Sequence, residues 1–174
     1  TRWSLVGGQS FEIGGKLDAL ALDANANTFV TGKNIPYGYN QVEQYDVNTG
    51  TRTGERLGIW NSVESIAIST TGRWIASAAR YQDVVVHDHE GRIRGSWNNE
   101  SRNETIAFLD DEQLLAIFQD ERDVRWLELW DIDSDQTRRV ALPIEPQLVA
   151  ASQPNEPDLP RYVAAADGES VCLL

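Results

Sequence analysis

Three short apolar segments, each ending in an aromatic residue or histidine followed by aspartate, recur at nearly constant spacing: Val42-Glu43-Gln44-Tyr45-Asp46, Val84-Val85-Val86-His87-Asp88 and Leu127-Glu128-Leu129-Trp130-Asp131. Their aspartates lie 42 and 43 positions apart. Upstream of each is an apolar segment with a central alanine (Leu20-Ala21-Leu22, Ile66-Ala67-Ile68, Ile106-Ala107-Phe108), and a fourth stands at Val149-Ala150-Ala151, with the alanines 46, 40 and 43 residues apart. Such a period restricts the fold severely. A unit of about 43 residues cannot bury its own apolar face, so neighbouring units must stack to form one continuous core.

The local chemistry points to strands. Second apolar segments sit between these markers at Thr28-Phe29-Val30-Thr31, Trp74-Ile75-Ala76-Ser77, Leu114-Leu115-Ala116-Ile117 and Tyr162-Val163-Ala164-Ala165. Turn-forming residues separate first from second segments at Asp23-Ala24-Asn25-Ala26-Asn27, Ser69-Thr70-Thr71-Gly72 and Asp110-Asp111-Glu112, the chemistry of tight reversals between antiparallel strands. The third segments run into Val47-Asn48-Thr49-Gly50, His89-Glu90-Gly91 and Ile132-Asp133-Ser134-Asp135, and then into polar fourth strands such as Arg92-Ile93-Arg94-Gly95 and Thr137-Arg138-Arg139-Val140, which read as outer edges. Val84-Val85-Val86 is apolar without alternation, the pattern of a strand covered on both faces. No window carries a sustained helical period.

Apolar strands ending in Trp-Asp or a near equivalent every 40 to 45 residues resemble WD-repeat β-propellers, and the resemblance covers nearly the whole chain. Trp130-Asp131 is the literal dipeptide, and Tyr45-Asp46 and His87-Asp88 are degenerate forms. The Gly-His dipeptide of the family is missing, with Gly14-Gly15, Asn61-Ser62 and Asn98-Asn99 as nearest counterparts. The family's intra-blade hydrogen-bond tetrad is therefore not expected in most blades. The resemblance implies an all-β propeller of antiparallel three- to four-stranded blades at about residues 17–60, 61–102, 103–146 and 147–174, with residues 1–6 as an outer strand that closes the ring. Two architectures are compatible with this count: four blades closed on themselves, or about half of a seven- or eight-bladed ring. The second is expected, because open propellers leave edge strands that need partners.

Composition narrows the function classes. At 41% hydrophobic and 24% charged the 174-residue chain has a globular composition. No stretch approaches the roughly 20 consecutive apolar residues of a membrane helix, and Thr1-Arg2-Trp3-Ser4 lacks the pattern of a signal peptide. The chain has no Met, as a processed piece or excised domain would. A net charge of −12 favours cationic partners and opposes attraction to phosphate backbones or anionic lipid, and the 15 Lys and Arg are scattered. Neither nucleic acid nor membrane is expected as a partner. The single Cys172 permits no internal disulfide and fits a reducing, cytoplasmic setting.

Motifs for chemistry are few. Nucleophile-and-base catalysis needs a histidine in reach of Ser or Cys, and the chain has only His87, in a strand at the Trp position, and His89, in the turn beyond. Cys172 alternates with Val171 and Leu173 as a buried thiol would. Asp131-Ile132-Asp133-Ser134-Asp135 resembles the start of a calcium loop, but its sixth position is Gln136 rather than Gly and its twelfth is Leu142 rather than Glu, so it reads as a polar turn. The clusters Asp110-Asp111-Glu112 and Asp120-Glu121-Arg122-Asp123 offer carboxylates to a hydrolase, but on so acidic a chain they read as solvated turns. No catalytic residue, metal ligand, cofactor or small-molecule substrate is assigned.

Recognition is expected on the loops. Of six tryptophans, Trp74, Trp126 and Trp130 fall in strand patterns and read as core. Trp60 and Trp97 each stand at the end of a unit, on connections a propeller exposes at one rim, and Tyr37 and Tyr39 lie in the insertion of residues 33–40. Rim aromatics on a rigid scaffold are typical partner anchors. The expected function is a non-catalytic protein-interaction scaffold or sensor module of a larger protein or complex. The alternative is a structural half that completes a propeller ring with another chain, and a propeller hydrolase or lyase stands behind both.

Overall fold

The structure, a computed structural model, describes residues 2–4, 10–12, 17–23, 27–33, 40–54, 57–59, 62–79, 83–97, 102–142, 148–151, 163–166 and 171–173. Every described element is a β-strand. The first two, β1 (Arg2–Ser4) and β2 (Ser10–Glu12), pair antiparallel in a sheet of their own. A four-stranded sheet follows, built from β3 (Leu17–Leu22), β4 (Thr28–Lys33), β5 (Asn40–Asp46) and β6 (Leu57–Ile59). The next contains β7 (Val63–Ile68), β8 (Trp74–Ala79), β9 (Val84–Asp88) and β10 (Ile93–Trp97), and the third β11 (Arg102–Phe108), β12 (Gln113–Gln119), β13 (Arg125–Asp131) and β14 (Gln136–Ala141). The last has three strands, β15 (Leu148–Ala151), β16 (Val163–Ala166) and β17 (Val171–Leu173). In each, spatial order equals chain order and every pair is antiparallel, so each unit is a meander, or blade. Within the segment 1–6, expected to close the ring as an outer strand, Arg2–Ser4 pairs antiparallel with Ser10–Glu12.

The repeated aspartate has a structural role that explains its spacing. Its carboxylate caps the turn between third and fourth strands: Asp46 Oδ1 accepts from the amides of Asn48 and Thr49 at 2.9 and 2.7 Å, Asp88 Oδ1 from Glu90 and Arg92 at 2.9 Å each, and Asp131 Oδ1 from Ser134 at 2.8 Å. Only a short side chain with an acceptor oxygen two bonds from Cβ reaches these amides. The turns end in the left-handed region, at Gly50 and Gly91 with φ of 66° and 83°, and at Asp135 with φ of 58°. Backbone amides and neighbouring side chains hold all three capping carboxyls below the usual carboxylate range.

The blades stack through their first strands: β3 lies against β7, β7 against β11 and β11 against β15. At the seam between blades one and two, Ile66, Ile68 and Ile75 pack with Val30, Val42 and Val63 and against Ala19 and Ala21. At the seam between blades two and three, Ile106, Phe108, Leu114, Trp130 and Ile132 meet Ala67, Ala76, Ala78, Val84, Val86, Trp74 and Trp97. First strands thus carry bulky residues toward the preceding blade and alanine toward the next. Close approach matters: a Cβ on Gly32 would stand 2.7 Å from Val63 Cγ1, and one on Gly95 3.1 Å from the Trp130 ring. The second strands β8 and β12 lie between two apolar clusters and are buried on both faces, with all six residues of β8 buried, whereas all six of β14, an outer strand, are exposed.

Trp97, expected on an exposed connection, is instead part of the second seam. The strand β10 extends to Trp97, which pairs with Val84, is 8% exposed and lies 6.0 Å from the Trp130 ring. Its partner Trp130 donates from Nε1 to Asp135 at 3.0 Å. The WD-type positions Tyr45, His87 and Trp130 are structurally equivalent, each opposite the second residue of its second strand (Phe29, Ile75 and Leu114). His87 is 7% exposed, and its Nδ1 has no hydrogen-bond partner among the described residues. Burial holds its imidazole below its ordinary value, partly countered by Asp88.

The blade packing generates three predictions. Trp130→Ala empties the second seam and is expected to cost about 3 to 5 kcal/mol, read by urea unfolding. Ile93→Ala, at a residue 67% exposed on β10, is expected to change stability by less than about 0.5 kcal/mol. For His87 the folded protein holds the base neutral while the unfolded chain titrates near about 6.5. The unfolded state therefore binds more protons below that pH, so stability is full above it and falls as pH decreases toward the folded value. His87→Phe is expected to flatten this slope of unfolding free energy between about pH 7 and 5; an unchanged slope would assign it to other groups.

Candidate interaction surfaces

With the sheet faces largely committed to stacking, the surfaces open to other molecules among the described residues are the inter-strand connections, the outer strand β14 and the Leu20–Leu22 edge of blade one. Tyr37, Tyr39 and Trp60, expected as partner-binding residues, lie outside the described residues; β4 ends at Lys33 and β5 begins at Asn40, so the first two sit on the connection between these strands. Of the four expected residues, Trp97 alone is described, and it is buried between blades.

Most groups with chemical potential have structural partners. On blade one, Glu43 is 1% exposed, is ion-paired with Lys33, accepts from the Tyr45 hydroxyl at 2.6 Å and has Arg52 Nη1 at 3.8 Å. Burial pulls the Lys33 ammonium down, but its hydrogen bonds to Glu43 and Tyr45 outweigh this and hold it above its ordinary value. Burial pushes the Tyr45 hydroxyl up, as does its bond to Glu43. The equivalent position in blade three is Glu128, 4% exposed, which accepts from Arg139 Nη2 at 3.2 Å. The Arg139 guanidinium in turn lies 5.0 Å from the Phe118 ring and 5.4 Å from that of Trp126. A buried carboxylate paired in this way is an ion-pair device of the sheet face, and neither glutamate was singled out from the sequence.

The acidic clusters are turn scaffolding. Asp110 Oδ1 accepts from the amides of Glu112 and Gln113 at 2.7 Å each, and Asp120 from the amides of Arg122 and Val124 and from Trp126 Nε1. Asp111 bridges blades, accepting from Thr71 N at 3.1 Å and Thr71 Oγ1 at 2.6 Å. In the run Asp131 to Asp135, Asp131 is bonded to Ser134 and Asp135 to Trp130 Nε1, which fits a polar turn. His89 is exposed on its turn, 3.7 Å from Glu90 Oε1. Cys172 lies in β17, opposite Ala165.

One feature of the inner strands was not seen in the sequence. The register of β3, β7 and β11 shifts at the same place in each, so that Asp18, Glu64 and Glu104 are the extra residues of three equivalent β-bulges. Each lies two residues before the first bulky seam residue, Leu20, Ile66 or Ile106. The three bulged positions are all acidic in the sequence, and at each the bulge interrupts pairing. Glu64 is exposed. The signal was legible as an acid at a constant offset from the repeated alanine, three residues upstream of Ala21, Ala67 and Ala107.

Solved structures provide the comparison. The chain superimposes on the WD40 repeats of RRP9 with a TM-score of 0.65 at 14% identity, covering 92% of this chain and 49% of that one. The match to U3-55K has a TM-score of 0.63 at 15% identity, covering 92% and 53%. That to the β-propeller domain of Myceliophteria thermophila Cps50 (Swd1) has a TM-score of 0.61 at 19% identity, covering 84% and 42%. No family model and no curated protein matches the sequence. The chain spans about half the length of the solved chains it resembles. Degenerate repeats, seam packing and structural likeness together establish that residues of this chain fold as WD-repeat-type blades of an all-β propeller.

Proposed function

We propose that this chain is a non-catalytic interaction scaffold of a larger protein or complex, which grips a protein partner through its rim loops. The observation that carries the reading is the commitment to structure of most reactive side chains among the described residues. His87 is buried as a neutral seam residue, Glu43 and Glu128 are held by cations, and Asp46, Asp88, Asp110, Asp120 and Asp131 accept from turn amides. What remains for recognition is rigid blades that present loops, together with an anionic surface of net charge −12 suited to a basic partner segment. Tyr37, Tyr39 and Trp60 are the proposed anchors, because large aromatics on connections contribute contact area at small cost in side-chain entropy. A reducing, cytoplasmic setting fits the lone Cys172.

The test is quantitative affinity purification of the tagged protein from its source, comparing wild type with Tyr37→Ala/Tyr39→Ala/Trp60→Ala. A partner that co-purifies in stoichiometric amount is expected, with its recovery reduced about tenfold or more by the triple substitution, which corresponds to at least about 1.4 kcal/mol of binding. The melting temperature should stay within a few degrees of wild type. Full retention of the partner by the variant would move recognition off these loops, and turnover of a substrate by the purified protein would overturn the non-catalytic reading.

A further inference from the structure

An outer strand leaves one backbone edge of its blade unpaired, and β10 and β14 treat that edge differently. The register of β10 against β9 breaks between Ile93 and Gly95, and Arg94, the bulged residue, is tied to Asp133 of the next blade at 3.3 Å. A bulge of this kind twists an edge away from incoming strands. No such device protects β14. Its residues pair with β13 in unbroken register from Gln136 to Ala141, all six are exposed, and no described strand lies beyond it. Further blades stack on sheet faces, so this edge stays open however many blades the ring has.

One hydrogen bond fixes which backbone groups face outward. Leu142 N donates to Arg125 O at 2.9 Å, one residue beyond the pair formed by Trp126 and Ala141. Hydrogen-bonded and non-hydrogen-bonded pairs alternate along an antiparallel ladder. Val140, Arg138 and Gln136 therefore turn their N–H and C=O groups toward β13, and Ala141, Arg139 and Thr137 turn theirs to the free edge.

The side chains decide what that edge accepts. Arg138 and Val140, the latter 53% exposed, share one face of the sheet, and Arg139 stands half-exposed on the other, beside Glu128. A second copy of the strand is a poor match, because centred pairing of β14 with β14 sets arginine opposite arginine, and like charges directly opposite destabilise a strand pair. Carboxylates suit the same positions. The net charge of −12 opposes an acidic ligand at a distance, but salt screens that field beyond about 8 Å at physiological ionic strength, whereas cross-strand carboxylates lie directly against the guanidinium groups.

We propose that β14 is a strand-addition site: an extended acidic peptide pairs antiparallel with its free edge, placing carboxylates opposite Arg139 and Arg138 and a β-branched apolar residue opposite Val140. Main-chain bonds to Thr137, Arg139 and Ala141 supply affinity, and the alternating side chains supply selectivity. Antiparallel pairing is the more stable kind per residue and the kind every described strand here adopts. The site goes beyond the rim-loop reading and stands on another part of the blade, so either can fail alone.

The test is a fluorescence-polarisation titration of a labelled probe peptide, Thr-Ile-Glu-Glu-Thr-Thr, whose residues in order fall opposite Ala141 back to Gln136, with protein up to about 500 µM. Saturable binding is expected. Arg138→Glu, at an exposed residue, should keep the wild-type circular dichroism and weaken binding about tenfold, and a peptide with lysine for its second glutamate should prefer this variant to wild type. Strand addition also predicts a backbone pattern that charge attraction alone does not. N-methylation of the first glutamate, whose N–H points at Arg139, should abolish binding, while N-methylation of the second, whose N–H points away, should leave it nearly intact. The Tyr37→Ala/Tyr39→Ala/Trp60→Ala variant should bind the peptide as wild type does. No binding across the range, equal losses from the two N-methylations, or loss of binding in the triple variant would each overturn the proposal. A wild-type dimer in light scattering that the peptide disperses would overturn it as well, by giving the edge to a second copy.

Discussion

Bulky residues from one first strand pressed onto alanines of the previous one are the contact on which the rest of this structure depends. A four-stranded meander of about forty residues has two apolar faces and no interior of its own, so its stability comes almost entirely from the seams. Ile66 and Ile68 set against Ala19 and Ala21, and Ile106 and Phe108 against Ala67, fix how closely adjacent blades approach. The approach is tight enough that Gly32 and Gly95 have no room for a side chain beside Val63 and Trp130. Everything peripheral inherits this spacing. The WD-type residues Tyr45, His87 and Trp130 lie on the same face as the bulky residues, and the aspartate that follows each has left the seam and is free to cap a turn.

This division explains which features were legible in the sequence. The repeated alanine and the aromatic-aspartate pair are both backbone-level requirements of every blade, one for seam spacing and one for the turn, so they recur at nearly fixed intervals even where the remainder has diverged. Strand type, strand order within a blade and the outer position of the Arg-rich fourth strands were legible for the same reason. Trp97 was not, because its face depends on strand register: the pairing of β10 continues through Ser96 to Trp97, and alternation from Gly95, whose Cβ position faces Trp130, places the Trp97 ring in the same seam. The bulge acids Asp18, Glu64 and Glu104 were missed because a bulge is a property of register, and register appears only when two strands are aligned.

The acidity of the chain acquires a different meaning in this light. Many of its described carboxylates serve as acceptors that hold turns closed, and Asp111 ties the first turn of blade three to Thr71 of blade two. A turn fixed by a short carboxylate keeps the loop ends in place without adding to the core, which is what a scaffold requires if its connections are to vary while its blades do not.

The buried glutamates reveal a second layer of constraint. Glu43 and Glu128 occupy equivalent third-strand positions, two residues before the WD-type aromatic, while the corresponding residue of blade two is Val85. A buried ion pair contributes little net stability over an apolar pair of similar volume, but removing one partner leaves a charge in the seam at a cost of about 3 to 5 kcal/mol in well-buried cases. Its effect is therefore selective: a blade that carries such a glutamate tolerates only neighbours that leave its cation in place. Blade three meets this condition with Arg139, supplied by its own outer strand and laid against Phe118 and Trp126. Blade one meets it with Lys33 and Tyr45 on the face that includes Leu20 and Leu22, so the Glu43 charge is neutralised within its own blade.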